Sequence, residues 1–184
     1  MQPVTLETTR LTLRPLTAAD ADAVHRACQD EDIQRWTTIP SPYLPEHAKN
    51  FVDHTSQAGW RGATLCTWGS FIRAEGMLAS SVGLSFPGRA GFAEIGFWTA
   101  KEHRGRGCTA EAVTAVAQWA FTVLGVQRLE WLAIVGNEAS RSVADRVGFT
   151  FEGTLRSYIL QRGVRRDAWV GSLLPTDAAF GGAR

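Results

Sequence analysis

A chain of 184 residues, 45% of them hydrophobic and 20% charged, has the make-up of one globular domain with a full-sized core. Its net charge of +1 argues against a dedicated nucleic-acid binder, which normally carries a strong basic excess.

Leu6 to Leu16 contains the alternating run Leu11-Thr12-Leu13, which predicts a half-buried strand stopped by Pro15. Thr17 caps a helix that carries Asp20 and Asp22 in its first turns and Val24, Ala27 and Cys28 at helical spacing. Asp30 to Pro45 is read as irregular, with Pro40, Pro42 and Pro45 framing Trp36 and Tyr43. A second helix starts at Pro45, where a missing N–H costs nothing, and runs to about Gln57. Three strand-like runs follow. Thr64 to Arg73 is the first. Met77 to Phe86 is the second, with Leu78, Val82, Leu84 and Phe86 on one face. Phe92 to Trp98 is the third. A helix from Gly107 to Leu124 carries Val113, Val116, Ala117, Ala120 and Leu124 as its apolar stripe and ends at Gly125. Then come a strand (Arg128 to Val135), a short helix (Glu138 to Val147) closed by Gly148, and a hairpin of Phe149 to Gln161 and Val164 to Leu174 turning at Arg162-Gly163. The order β-α-α-β-β-β-α-β-α-β-β is an α/β arrangement with a mixed sheet. One domain over residues 1–177 is expected, with 178–184 as a frayed tail.

Cys28, Cys66 and Cys108 lie far apart, with no C-x-x-C pairing, and fit a reducing compartment with no disulfide framework and no metal site. No run is long enough to span a bilayer, and Met1-Gln2-Pro3-Val4-Thr5 lacks a basic, apolar signal region. The expectation is a cytoplasmic protein, monomer or homodimer, with no membrane and no direct nucleic-acid partner.

The most informative stretch is the cationic glycine loop His103-Arg104-Gly105-Arg106-Gly107-Cys108-Thr109. Opening a helix, it offers free backbone N–H groups, the positive end of a helix dipole and two guanidinium groups, all of which favour phosphate. The ATP-type string G-x-x-x-x-G-K-[ST] is absent. The dinucleotide fingerprint matches Gly105-Arg106-Gly107-Cys108-Thr109-Ala110. However, Gly105 stands too far beyond Trp98 for a tight turn, and only one βαβ unit follows.

Arg104-Gly105-Arg106-Gly107-Cys108-Thr109 resembles the R/Q-x-x-G-x-G/A motif of the GNAT acetyltransferases. Asn137-Glu138-Ala139-Ser140, Gly148-Phe149 and Glu152-Gly153 resemble a second element of that family. Ala93-Glu94-Ile95-Gly96-Phe97-Trp98, Gly107-Cys108-Thr109-Ala110-Glu111-Ala112 and Thr9-Arg10-Leu11-Thr12-Leu13-Arg14-Pro15 look most like the RimJ/RimL type, which acetylates protein N-termini. The resemblance covers about residues 5 to 175. It implies a GNAT-like fold, a mostly antiparallel central sheet flanked by helices. It also implies acetyl-CoA as co-substrate, with its pyrophosphate on the loop Arg104, Gly105, Arg106, Gly107, Cys108 and Thr109, and direct transfer of acetyl to an amine in a ternary complex. The acceptor it implies is a protein N-terminus. A small amine (a polyamine or an aminoglycoside) and a silent acyl-CoA-binding sensor module are the alternatives. Two positions depart from the pattern: Thr109 replaces Gly or Ala, and Ala144 stands where many members have tyrosine.

Acyl transfer from a thioester needs a neutral amine, a polarised carbonyl and a leaving thiolate. An N-terminal amine is already neutral to roughly a tenth at pH 7, whereas a lysine amine is neutral in about one molecule in a few thousand. A base therefore helps the first and is close to obligatory for the second. Glu94 is the candidate base, on the strand face shared by Phe92, Gly96 and Trp98, with a carboxyl that burial beside aromatic rings should raise; a surface salt-bridge role is the alternative. Ser140 is the candidate proton donor to the CoA thiolate, as proposed for the equivalent serine of RimL-like enzymes, or else a serine bonding a backbone carbonyl near a helix start. The resemblance implies that Asn137 bonds the pantetheine amides; its residue type and place also make it a cap for its helix, and both can hold. Gly96 interrupts its strand and suggests a bulge that frees backbone N–H groups at Phe97, Trp98 and Thr99 for the thioester carbonyl, or packing beneath a ring. Cys108 could have a depressed pKa at its helix start. His103 reads as a phosphate-side or surface residue. Trp36 to Tyr43 is either a wall of the acceptor pocket or a set of plugs over the core.

Overall fold

The computed structural model describes residues 1–177 and 180. The first run is a hairpin rather than one strand: β1 (Leu6–Glu7) pairs with β2 (Leu11–Arg14). Thr8 makes the turn, its hydroxyl accepting from the Leu11 N–H (2.9 Å) while its own N–H donates to the Leu11 carbonyl (2.9 Å). Asp20 then accepts from the Thr17 N–H and hydroxyl and starts α1 (Ala21–Cys28).

The segment read as irregular contains a helix, α2 (Glu31–Trp36), capped by the Asp30 carboxylate on the Ile33 N–H (3.0 Å). Pro45 opens α3 (Pro45–Asn50), which continues through one wide turn (Phe51–Thr55) into α4 (Ser56–Gly62), five residues past the expected end at Gln57. β3 (Leu65–Ile72), β4 (Leu78–Ser85), β5 (Phe92–Thr99), α5 (Cys108–Val123), β6 (Arg128–Ile134), α6 (Glu138–Val147), β7 (Thr150–Gln161) and β8 (Val164–Leu173) follow within two residues of their expected bounds.

The eight strands form one sheet in the order β1-β2-β3-β4-β5-β6-β8-β7. Every pair is antiparallel except β5–β6, which α5 joins as a parallel crossover. This is the GNAT-like mixed α/β sheet, mostly antiparallel and flanked by helices. One face carries Trp68, Val82, Leu84, Ala93, Ile95 and Leu129 against Val113, Val116 and Ala120 of α5. Trp60, Trp68 and Trp119 meet there edge to face, Trp60 and Trp68 with centroids 4.8 Å apart. A second cluster holds Val24, Ile33, Tyr43, Ala48 and Val52 from the first helices over Phe71, with Trp98 at its margin. Leu78 belongs to this second cluster, not with Val82 and Leu84 as simple alternation would have it. The register shifts at Ser70/Phe71 where β3 meets Leu78, and that irregularity turns the leucine to the other side.

Among the described residues no helix is long and apolar enough to cross a membrane. The tail expected over 178–184 lies outside the described residues apart from Phe180, which packs edge to face on Phe121 at 5.4 Å.

Candidate active site

The site begins where the parallel pair ends. β5 and β6 are paired from Phe92/Arg128 to Ile95/Trp131 and no further. β5 nevertheless stays paired with β4 out to Ser80/Thr99, and β6 with β8 out to Ile134/Ala168. The sheet thus opens between two strands that are each held on their outer side. Alternate backbone groups of Gly96 to Thr99 face this opening without a β6 partner. The bulge expected at Gly96 is absent: Gly96 pairs regularly with Gly83, and it is the parting of β5 from β6 that frees the backbone. A Cβ built on Gly96 meets nothing within 4 Å, so it does not pack beneath a ring.

A cleft of about 450 Å³ runs from this opening, in the size range of small-molecule sites. Phe97, Trp98 and Thr99 line one side and Asn137, Ser140 and Val143 the other, with Arg104, Gly105, Gly107, Cys108 and Thr109 of the loop at one end and Ile33 and Trp36 of α2 above; Arg106 of the loop is not among the cleft-lining residues.

The loop takes its shape from Gly105 and Gly107, at φ 73° and 75°, a left-handed conformation that side chains with a Cβ rarely adopt. Gly107 caps α5, whose first helical bond runs from the Glu111 N–H to the Gly107 carbonyl (3.1 Å). The N–H groups of Cys108, Thr109 and Ala110 precede that bond and are the donors an anion would take. Thr109, the departure from the motif, turns its hydroxyl away to Thr99 (2.6 Å) and ties β5 to α5. Glu111 accepts from the Thr8 hydroxyl (2.6 Å), the Arg10 backbone N–H (3.0 Å) and the Arg10 guanidinium, which also donates to the Arg106 carbonyl (2.9 Å). The opening hairpin and the glycine loop, far apart in sequence, are thereby one construction.

Arg104 is placed differently from a free phosphate ligand, since its guanidinium is paired with Asp30 and Asp32. Arg146, which sequence reasoning missed, comes to the loop in its stead. A Cβ on Gly107 would lie 2.9 Å from its Nη1. The available signal was helical spacing, because Ala139, Val143 and Arg146 share a face of α6 with Ser142 and all line the cleft.

On the α6 side, Asn137 accepts from the Ser140 N–H (3.1 Å), so it caps the helix and keeps its amide N–H₂ for other partners. The Ser140 hydroxyl accepts from the Trp131 indole N–H (2.9 Å). Cys108 is buried at 4% exposure. His103 is buried at 2% exposure, which excludes the surface reading; both its ring nitrogens lack a protein partner, and the residue borders the cleft. Trp36 lines the cleft while Tyr43 is buried in the second core cluster, so the aromatic segment is part wall and part plug.

Glu94 is not among the cleft-lining residues. It lies on the face it shares with Gly96 and Trp98, two positions before the strands part. Its cross-strand neighbours are Ser85 and Glu130, and the pairs that follow along β4 and β5 are Gly83/Gly96 and Ser81/Trp98, so the neighbouring strand presents small residues beside it. Burial raises its carboxyl above the ordinary glutamate range, the like charge of Glu130 adds to this, and Arg89 opposes it.

A sheet parted after one parallel pair, with a glycine-shaped anion loop at the end of the opening, suits a long cofactor with a phosphate at one end, and the comparisons with known proteins make it the site of an acyltransferase. The chain is a member of the GNAT family, whose acetyltransferase domain model matches residues 10–150. It is 29% identical over 170 residues to the uncharacterized N-acetyltransferase YoaA of Bacillus subtilis, covering 92% of this chain and 96% of that one. A provisionally assigned ribosomal-protein-serine acetyltransferase from Vibrio cholerae superposes with a TM-score of 0.86 at 26% identity, over 95% of this chain and 100% of its own. Mycobacterium smegmatis RimJ, solved with CoA-disulfide, shares the fold with a TM-score of 0.83 at 22% identity, over 97% and 94% of the two chains.

Proposed function

We propose that this enzyme moves the acetyl group of acetyl-CoA to the N-terminal amine of a protein. The observation that carries the reading is the opening between β5 and β6 with the anion loop at its end. An extended amide-bearing arm fits there as a substitute strand, pairing with the freed backbone of Gly96 to Thr99, and a pyrophosphate fits the N–H groups of Cys108 to Ala110. Asn137 supplies an amide from the opposite wall, and Arg106 and Arg146 supply charge.

In this reading Glu94 takes the amine's proton through a water as nitrogen attacks the thioester carbonyl, and backbone N–H groups of Phe97 to Thr99 hold the oxygen charge that develops. Ser140 gives its proton to sulfur as the C–S bond breaks and recovers one from solvent, while Glu94 releases its own. A thiol leaves readily, with a pKa near 8.5, so a hydroxyl suffices as donor. A protein acceptor is supported by the likeness to the Vibrio cholerae ribosomal-protein-serine acetyltransferase, and its chain end by the absence of side chains at Gly83 and Gly96, which leaves room for an extended segment. The test is thiol release from acetyl-CoA across a panel of short peptides, polyamines and aminoglycosides. Release with peptides bearing a free α-amine, lost on blocking that amine, is expected. Release with only the small amines would sink the acceptor assignment, and tight CoA binding with no release from any amine would sink the enzyme reading of the site.

A further inference from the structure

Trp131 is the only large side chain on β6 whose polar atom is spent on a residue of the cleft. Its ring is buried at 2% exposure, and its indole N–H donates to the Ser140 hydroxyl at 2.9 Å. The fold makes room for this reach. Trp131 is paired across the sheet with Gly171 of β8, where an added Cβ would lie 3.3 Å from the indole Cε3 and 2.9 Å from the Thr150 carbonyl. The missing side chain lets the ring lie across β8 and extend beneath the first turn of α6.

An indole N–H can only donate. The serine oxygen therefore accepts from Trp131, and its own proton must point elsewhere. No protein acceptor takes that proton among the described residues, whereas hydroxyls of another helix, Thr114 and Thr122 of α5, bond back to the preceding turn. Ser140 borders the cleft. We infer that Trp131 is a positioning residue for acyl transfer, fixing the Ser140 hydroxyl as a donor aimed into the cleft and sharpening its donation by bonding to its oxygen. This rests on the reading of Ser140 as proton donor to the leaving sulfur. Polarisation along a chain of hydrogen bonds strengthens the outer one, and the fixed direction spares the reaction the cost of orienting the hydroxyl. Trp131 itself passes no proton.

The opposing account is that Ser140 is there to satisfy a buried indole, and the two differ in what they couple. Trp131→Phe keeps the ring and removes the N–H. It should lower kcat about three- to tenfold, the worth of about one hydrogen bond, with KM for acetyl-CoA within about twofold of wild type. In a Ser140→Ala background the same change should lower kcat no further, because the hydroxyl it acts through is gone. An equal loss in both backgrounds, or wild-type turnover in Trp131→Phe beside a clear Ser140→Ala defect, would overturn the inference and leave the role of Ser140 standing. Wild-type turnover in Ser140→Ala removes the reading it rests on. A second measurement does not need the variant to fold. With ¹⁵N placed in the indoles, the Trp131 resonance, identified by its contact with Ser140, should exchange slowly with solvent and move when CoA is added. A resonance indifferent to CoA would overturn the inference.

Discussion

At Glu94 the cost of burial and the requirements of a base coincide. Its raised carboxyl is protonated to a higher pH than an exposed glutamate, so the working, ionised form appears only as pH climbs through that raised value. Turnover should rise with pH through this step, and Glu94→Gln should remove the rising limb and lower kcat by about a hundredfold without altering affinity for CoA. A pH–rate profile for the variant matching wild type would reject Glu94 as the base. Stability carries the opposite sign. A carboxyl whose folded value lies above its unfolded one favours the fold at low pH and loses that contribution as pH rises through the folded value. Near neutral pH Glu94→Gln should be at least as stable as wild type, so activity falls while the unfolding midpoint does not. The strand face of Glu94 was readable from alternation alone, because Ile95 and Phe97 pack on the α5 side and Trp98 on the other. The neighbouring Glu130, a cross-strand partner through a parallel pairing, was not.

Among the helices, α2 is the one that periodicity did not reveal. Six residues give too little periodicity to mark it, and what marks it in space is Asp30, whose carboxylate caps the helix and also pairs with Arg104 of the anion loop. The far end is held by the β7–β8 turn, where Gln161 donates to the Arg35 and Thr37 carbonyls (2.8 and 2.7 Å) and Arg162 to the Gln34 and Ile39 carbonyls (2.8 and 3.0 Å). α2 therefore bridges the loop and the hairpin over the cleft. Asp30→Ala removes the cap and one arm of the Arg104 pair, together worth about 1–3 kcal/mol of local stability. Amide exchange over Glu31–Trp36 should speed up by about tenfold or more, while the sheet amides of β4 and β5 stay protected. Unchanged exchange over α2 would mean that the hairpin contacts alone hold it. The Arg104 guanidinium, released from Asp30 and left only with the exposed Asp32, should at the same time turn more readily to phosphate, so CoA affinity in this variant should not fall.

Over the whole molecule, local signals are legible in the sequence and strand pairings are not. Gly125, Gly148 and Arg162-Gly163 stop or turn the chain where the sequence placed them, all at positive φ, and α6 keeps its predicted bounds. The parting of β5 from β6 is a property of register between strands separated by a whole helix, which no local pattern encodes. The same holds for the network that closes the sheet beyond the site, where Arg128 of β6, Glu152 of β7 and Ser172 of β8 meet. Glu152 accepts from Arg128 Nη1 (2.9 Å) and Nη2 (2.5 Å) and from the Ser172 hydroxyl (2.6 Å), and these bonds, those from Arg128 first, pull its carboxyl down to about 2. Asp20, Asp30 and Glu111 are also held below their ordinary values; burial pushes each up, but the bonds from Arg14 and Thr17, from Arg104 and Ile33, and from Thr8 and Arg10 outweigh it. For such groups stability is complete above the unfolded pKa and drains away as pH falls through the folded one. The protein should therefore lose stability progressively below about pH 5, with Glu94 alone among these groups opposing the trend. Glu152→Gln isolates one share of it. Both Glu152 and Arg128 keep about a third of their side-chain surface in solvent (36% and 34%), so screening limits the loss near neutral pH to about 0.5–1 kcal/mol. That gap from wild type, measured by denaturant midpoint, should narrow between about pH 5 and pH 2 as the native carboxylate takes up its proton. A gap that stayed constant down to about pH 2 would place the value of Glu152 in the packing of the three strands instead of in its charge.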